Sequence, residues 1–238
     1  MRACGERGDS MTIATRFGCG LVLAASLLAV GAATAQTSAA VSPEAQGVAQ
    51  VVTAANVAAW GRSHQDAGAL IMAARILAEV PVRPAPTSGA EATRPVLTPA
   101  SLLDEAAALS IGDQAALDAI AYLRDQNPTD AETESVRGVR SSPFGQGPIF
   151  MVRELKARET YGFEVEARGG EVLRVAAIGD GDTNIDMVVR EPGGALVCQD
   201  GFGDHYPVCT VARARPGPMR IDIVNRGAIW TKVQILSN

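Results

Sequence analysis

The chain has 238 residues, 47% of them hydrophobic and 20% charged, which is ordinary globular usage and excludes a disordered tail or a polytopic membrane protein. Its formal net charge of −5 argues against nucleic acid as a partner. The acidity is uneven: residues 36–130 hold 5 basic and 10 acidic side chains, whereas 131–238 hold 13 and 14, a break that predicts two modules.

Arg2, Arg7 and Arg16 precede an apolar run from Leu21 to Val30, and Ala33-Thr34-Ala35 supplies the small residues a signal peptidase needs before Gln36. A cleavable secretory signal is therefore expected over 1–35, with Met11 as an alternative start that leaves the mature chain unchanged. Cys19 lies before the apolar run, whereas a lipid-attachment cysteine follows it. No later run reaches the roughly 18 apolar residues that span a bilayer, so the expectation is a periplasmic or secreted chain without a transmembrane anchor after cleavage.

From Ser42 to Val80 the pattern is helical, with Val48, Val51, Val52, Ala55 and Ala59 on one stripe and Leu70, Ala73, Ala74 and Leu77 on a second. Two helices broken near Gly61 to Asp66 fit this spacing, and Ser42-Pro43-Glu44 is a strong start signal. Residues 81–97 carry Pro81, Pro84, Pro86, Gly89 and Pro95 and read as a Pro-rich loop. Thr98-Pro99 repeats the start signal for a third helix through Leu102, Leu103, Ala106 and Leu109, and a fourth begins near Asp113. Residues 36–127 thus read as a small α-helical bundle of two helical hairpins.

A polar linker over 128–147 follows, and then short alternating or apolar runs between Gly, Pro and Asp turns: 161–167, 171–178, 185–191, 195–199, 208–212, 219–225 and 229–236. In the third run Ile185, Met187 and Val189 alternate with Asp186, Val188 and Arg190, as a half-buried antiparallel strand requires. The expected class is α+β in two modules, the second an antiparallel β-sandwich over 148–238.

Within that half, Gly169-Gly170-Glu171, the loop Gly179-Asp180-Gly181-Asp182-Thr183-Asn184 running into Ile185-Asp186-Met187, Glu191-Pro192-Gly193-Gly194, and Ile223-Val224-Asn225-Arg226-Gly227 resemble the bacterial pre-peptidase carboxy-terminal (PPC) domain, over roughly residues 150–238. The resemblance implies a jelly-roll-like β-sandwich of the kind appended to secreted peptidases and also present in secreted proteins without one. Related collagen-binding domains use acidic loops for calcium.

Cys198 and Cys209 are the only cysteines after residue 35, and a structural disulfide is their natural reading in an oxidising compartment. Asp180, Asp182, Asn184 and Asp186 fall at alternate positions, with Asp200 and Asp204 on a later loop; oxygen ligands at this density suit calcium, and they equally suit tight exposed turns. An EF-hand is excluded because the sixth position counted from Asp180 is Ile185 where that loop needs Gly. Phe202, His205 and Tyr206, enclosed between the cysteines, form a candidate partner-binding surface for a protein or a sugar.

No G-x-S-x-G turn, Gly-rich phosphate loop, H-E-x-x-H or zinc spacing occurs. His205 beside Asp204 is the one candidate acid–base pair, and Trp60 and Trp230 read as packing residues. The sequence therefore points to an exported, non-catalytic binding or accessory protein of the bacterial cell envelope with an extracytoplasmic protein or carbohydrate partner. Two alternatives stand beside it: a small secreted hydrolase or metal-dependent enzyme using the acidic loops and His205, and a helical scaffold for envelope assembly.

Overall fold

A computed structural model describes residues 39–86, 95–126 and 142–238. The expected signal segment, residues 87–94 of the Pro-rich loop and residues 128–141 of the linker lie outside these residues. Helices α1 (Pro43–His64), α2 (Ala67–Ala78), α3 (Pro99–Leu109) and α4 (Gln114–Gln126) start where the capping chemistry places them. Ser42 Oγ accepts the Ala45 amide at 3.1 Å, Thr98 and Ser101 form a reciprocal capping box, and Asp113 Oδ1 accepts the Ala116 amide at 3.1 Å.

The break between α1 and α2 is shorter than the sequence suggests. Gly61 lies inside α1, and a Cβ there would sit 3.0 Å from Ala69 Cβ and 3.2 Å from Leu70 Cδ2, so its missing side chain lets α2 approach closely. The chain turns only at Gln65, left-handed with φ 52°, and Asp66, whose carboxylate at once caps α2 through the Ala69 amide at 3.0 Å.

The described residues hold nine strands, the first between α2 and α3 and the rest after α4: β1 (Arg83–Pro84), β2 (Ile149–Leu155), β3 (Thr160–Ala167), β4 (Val172–Gly179), β5 (Ile185–Arg190), β6 (Leu196–Asp200), β7 (Val208–Ala212), β8 (Gly217–Asn225) and β9 (Thr231–Ser237). They form a five-stranded sheet in the order β1-β2-β9-β4-β7 and a four-stranded sheet in the order β3-β8-β5-β6. Every pairing is antiparallel except β1 with β2, whose two residues come from the expected Pro-rich loop. Pro84 is tolerated there because β1 is an edge.

Two cores separate three layers. Leu155, Leu173, Val175, Ile185, Met187, Ile221, Ile223, Val233 and Ile235 fill the space between the sheets. On its other face the five-stranded sheet packs Phe150, Val152, Ala176, Ile178 and Leu236 against Val48, Val51, Ala58, Leu70, Leu77 and Leu102 of the helices. The helices and the sandwich therefore belong to one compact unit, Thr37–Asn238, with the helices as a layer on the middle sheet; the composition break pointed instead to two modules. The helical layer depends on the sheet for its core.

The double burial explains a strand that sequence patterning overlooked. Strand β2 has no polar alternation, because Phe150 and Val152 face the helices while Leu155 joins the inter-sheet core. Strand β4 is buried on both faces for the same reason and reads as a near-continuous apolar run, whereas β8 of the outer sheet keeps its polar residues on one face.

Candidate functional site at the loop end of the sandwich

Antiparallel pairing gathers the connections after β2, β4, β6 and β8 at one end of the sandwich, since Leu155 pairs with Thr231, Gly179 with Val233, and Ile185 with Asn225. Helix α1 leads to the same end. Arg174 Nη1 donates to the carbonyl of Ala45 near the start of the helix at 2.9 Å, while the charge of Arg62 near its end acts on His205. Arg62 is itself fixed by a two-pronged pair with Glu105, both contacts 2.7 Å, and this bonding raises its pKa.

The loop between β6 and β7 is tied down along most of its length. Cys198 and Cys209 form the expected disulfide, Cα–Cα 5.9 Å, and join the edge strands of the two sheets. Inside that ring Asp200 Oδ2 accepts the Val208 amide at 2.7 Å and Asp204 Oδ1 accepts the Tyr206 amide at 3.1 Å. The loop carbonyls then serve the neighbouring strands: Asp204 O accepts from Ile185 N at 2.8 Å, His205 O from Gly179 N at 2.7 Å, and Pro207 O from Ala177 N at 3.0 Å.

This bonding separates the three aromatic candidates. Phe202 stands at the free tip, 92% exposed. Tyr206 is partly buried against the core beneath the helical layer, so it joins loop to helices more than it offers a surface. His205 is half-buried and meets Tyr206 edge-on at 4.8 Å between ring centroids. Burial lowers the pKa of His205, helped by Arg62 and opposed by Asp204 and Asp180; burial, then Asp204, raises that of Tyr206. Among the described residues no hydrogen bond joins Asp204 to the His205 ring, because the carboxylate is directed to the Tyr206 amide.

The aspartates are spread over separate structural tasks. Asp180 accepts the Thr231 hydroxyl at 2.6 Å and the Lys232 amide at 2.9 Å, fixing the start of β9. Asp182 is exposed, and its amide lies 3.5 Å from Asp180 Oδ1. Asp186, 6% exposed, takes the Arg226 guanidinium on Oδ2 at 2.5 Å, while the carbonyl of Asn184 accepts the Arg226 amide at 2.9 Å. Among the described residues no three His, Cys, Asp or Glu side chains gather in a metal-binding group.

Two residues of this end were misread from sequence. Ile229 and Trp230, expected in the last strand, lie in the loop before β9 with 51% and 59% exposure. That loop is held by buried Asn225, whose Nδ2 donates to the carbonyls of Lys156 at 3.0 Å and Ile229 at 2.8 Å while Oδ1 accepts the Gly227 amide at 2.8 Å. The Asn225-Arg226-Gly227 triplet marked the turn; its length was hidden by the apolar run that continues into the strand. Trp60, also expected to pack inside, is half-exposed and stacks on His64 with ring centroids 4.2 Å apart.

No protein-family model and no curated protein matches the chain. Among solved structures it is similar to a de novo designed double-stranded β-helix, 18% identical over 37% of this chain and 97% of that one, with a TM-score of 0.25. It is also similar to Aeromonas hydrophila PliG, a periplasmic lysozyme inhibitor of g-type lysozyme, 14% identical over 38% of this chain and 86% of that one, with a TM-score of 0.28. Among the described residues no helix is long and apolar enough to cross a membrane.

Proposed function

We propose that the chain is an exported, non-catalytic binding protein of the bacterial cell envelope, periplasmic or secreted, which engages an extracytoplasmic protein or carbohydrate through the loop end of its sandwich. The observation that carries this reading is Phe202, an almost fully exposed aromatic side chain at the tip of a loop whose flanks are fixed by a disulfide, two side-chain caps and three backbone bonds. Burying a pre-organised aromatic group costs little ordering entropy, so its apolar area goes largely into affinity. Trp230 and Ile229 present further apolar surface on another loop of the same end. Export is supported by the signal-like residues 1–35 and by the disulfide, which persists in oxidising compartments. The reading of residues 150–238 as a jelly-roll-like PPC-type domain rests on the Gly-Asp-Gly-Asp-Thr loop running into a strand of a β-sandwich.

A photo-reactive residue placed at position 202, with a control at position 193 on the opposite end, tests the proposal in envelope extract. A discrete adduct at 202 and none at 193 is expected. Adducts of equal yield at both ends, or at 193 alone, would contradict it.

A further inference from the structure

The two sheets end in four strands, β1 and β7 on one and β3 and β6 on the other. An end strand leaves a row of backbone amides and carbonyls without partners, which can pair with a further strand unless the edge is blunted. Strand β1 is two residues long and contains Pro84. Strands β6 and β7 are joined by the disulfide of Cys198 and Cys209, and the pairing of β6 with β5 slips between Val189 and Arg190. Strand β3 differs. It keeps one unbroken register with β8, from Thr160 opposite Val224 to Ala167 opposite Gly217, and contains neither Pro nor Lys.

The free side of β3 has a definite chemistry. The Glu159 carbonyl accepts the Asn225 amide at 2.9 Å, and antiparallel bonding alternates from there. Tyr161, Phe163 and Val165 therefore bond to β8, while Thr160, Gly162, Glu164 and Glu166 direct amide and carbonyl to the open edge. Side chains alternate in step: Tyr161, Phe163 and Val165 are partly buried against the inter-sheet core, whereas Glu164 and Glu166 stand exposed on the outer face. Neither carboxylate has an ion pair among the described residues. Arg220, directly across from Glu164 on β8, turns instead to Asp222, Nε to Oδ1 2.9 Å, and its guanidinium lies over Gly162, where a Cβ would collide with it.

We propose that β3 is a docking edge for an extended segment of another protein, added as a further strand, with Lys or Arg on the face of Glu164 and Glu166 and apolar side chains beside Tyr161, Phe163 and Val165. Charge complementarity selects this occupant over a second copy of the chain. Hydrogen-bonded antiparallel strands place like faces together, so self-pairing would set Glu164 and Glu166 of one copy against those of the other, and opposed like charges destabilise a ladder. The same two carboxylates that repel a second copy attract a basic strand. In such a complex the backbone bonds supply affinity and the alternate side chains supply selectivity. The edge lies across the outer sheet from β6 and does not rest on the binding role proposed for Phe202.

The probe is a blocked, fluorescent peptide, Thr-Val-Lys-Val-Lys-Val-Thr, titrated into the oxidised full chain and followed by anisotropy. Saturable binding with a dissociation constant below about 1 mM is expected. Glu164→Gln combined with Glu166→Gln, at exposed positions the fold does not depend on, should weaken it about three- to tenfold. N-methylation separates strand pairing from simple charge attraction. Because bonding amides alternate along an added strand, methylating the Lys amides or the Val amides should abolish binding in one case and spare it in the other. At saturation the amides of Gly162 and Glu164 should exchange hydrogen more slowly. No binding up to about 1 mM, the same affinity for both methylated peptides, or equal binding of a peptide with Glu in place of Lys would overturn the proposal. So would a dimer of the chain alone that protects those two amides, since a second copy would then fill the edge.

Discussion

Asp200 and Val208 are joined across the base of the Phe202 loop, the carboxylate accepting the amide at 2.7 Å inside the ring closed by Cys198 and Cys209. The loop is therefore fastened twice, once covalently and once by a charge-assisted hydrogen bond.

Reducing the disulfide should consequently cost stability without freeing the loop. With a sequence separation of 11, the chain-entropy relation gives a loss of about 2–3 kcal/mol. Urea denaturation with and without reductant measures it, and a loss well below 1 kcal/mol would show that the ring constrains little in the unfolded chain.

Arg226→Ala leaves the nearly buried Asp186 carboxylate without its cation. Breaking a buried pair from one side costs about 3–5 kcal/mol, and the half-exposed guanidinium reduces this to about 2–3 kcal/mol. Asp186→Asn combined with Arg226→Ala should recover part of that loss in a double-mutant cycle; strictly additive losses would mean the two groups are not coupled.

Asn225 is fully buried and holds the Trp230 loop by donating to carbonyls on two connections. Asn225→Leu strands those carbonyls and the Gly227 amide, at a cost of about 2–4 kcal/mol. Trp230 should lose fluorescence anisotropy relative to Trp60 when single-tryptophan versions are compared, and an unchanged anisotropy would relieve Asn225 of that role.

His205 gives the fold a dependence on pH of definite sign. Its pKa in the folded chain is lowered, chiefly by burial, so the unfolded chain binds the proton more readily. The stability supplied by the neutral ring is complete above the unfolded value near 6.5 and is lost as pH falls through that value towards the lower folded one. The native protein should lose more stability between pH 7.5 and pH 5 than His205→Gln does, and parallel curves would contradict this.

Local chemistry was legible wherever one residue decides it. Ser42, Thr98 and Asp113 announced helix starts, Cys198 and Cys209 announced their bond, and the alternation of Ile185, Met187 and Val189 gave the core face of β5. What stayed hidden depends on which face of an element meets a partner distant in sequence. The run Val172–Gly179 is apolar on both faces because helices cover one side, and composition alone assigned those helices to a separate module. Phe202 and Tyr206 looked equivalent between the cysteines, yet only the tertiary contact with the helical core distinguishes a surface residue from a joint. Trp230 was misplaced because the loop before β9 has the same apolar character as the strand.

The rigidity of the Phe202 platform is most directly tested by amide hydrogen exchange of the oxidised chain, read residue by residue. The amides of Gly179, Ile185, Tyr206 and Val208, each bonded to or within the loop, should be protected close to the level of the β4 core, with Phe202 and Gly203 at the tip exchanging freely. Exchange of those four amides as fast as the tip would mean that the loop is not held in advance, and the case for a pre-organised binding surface would fail.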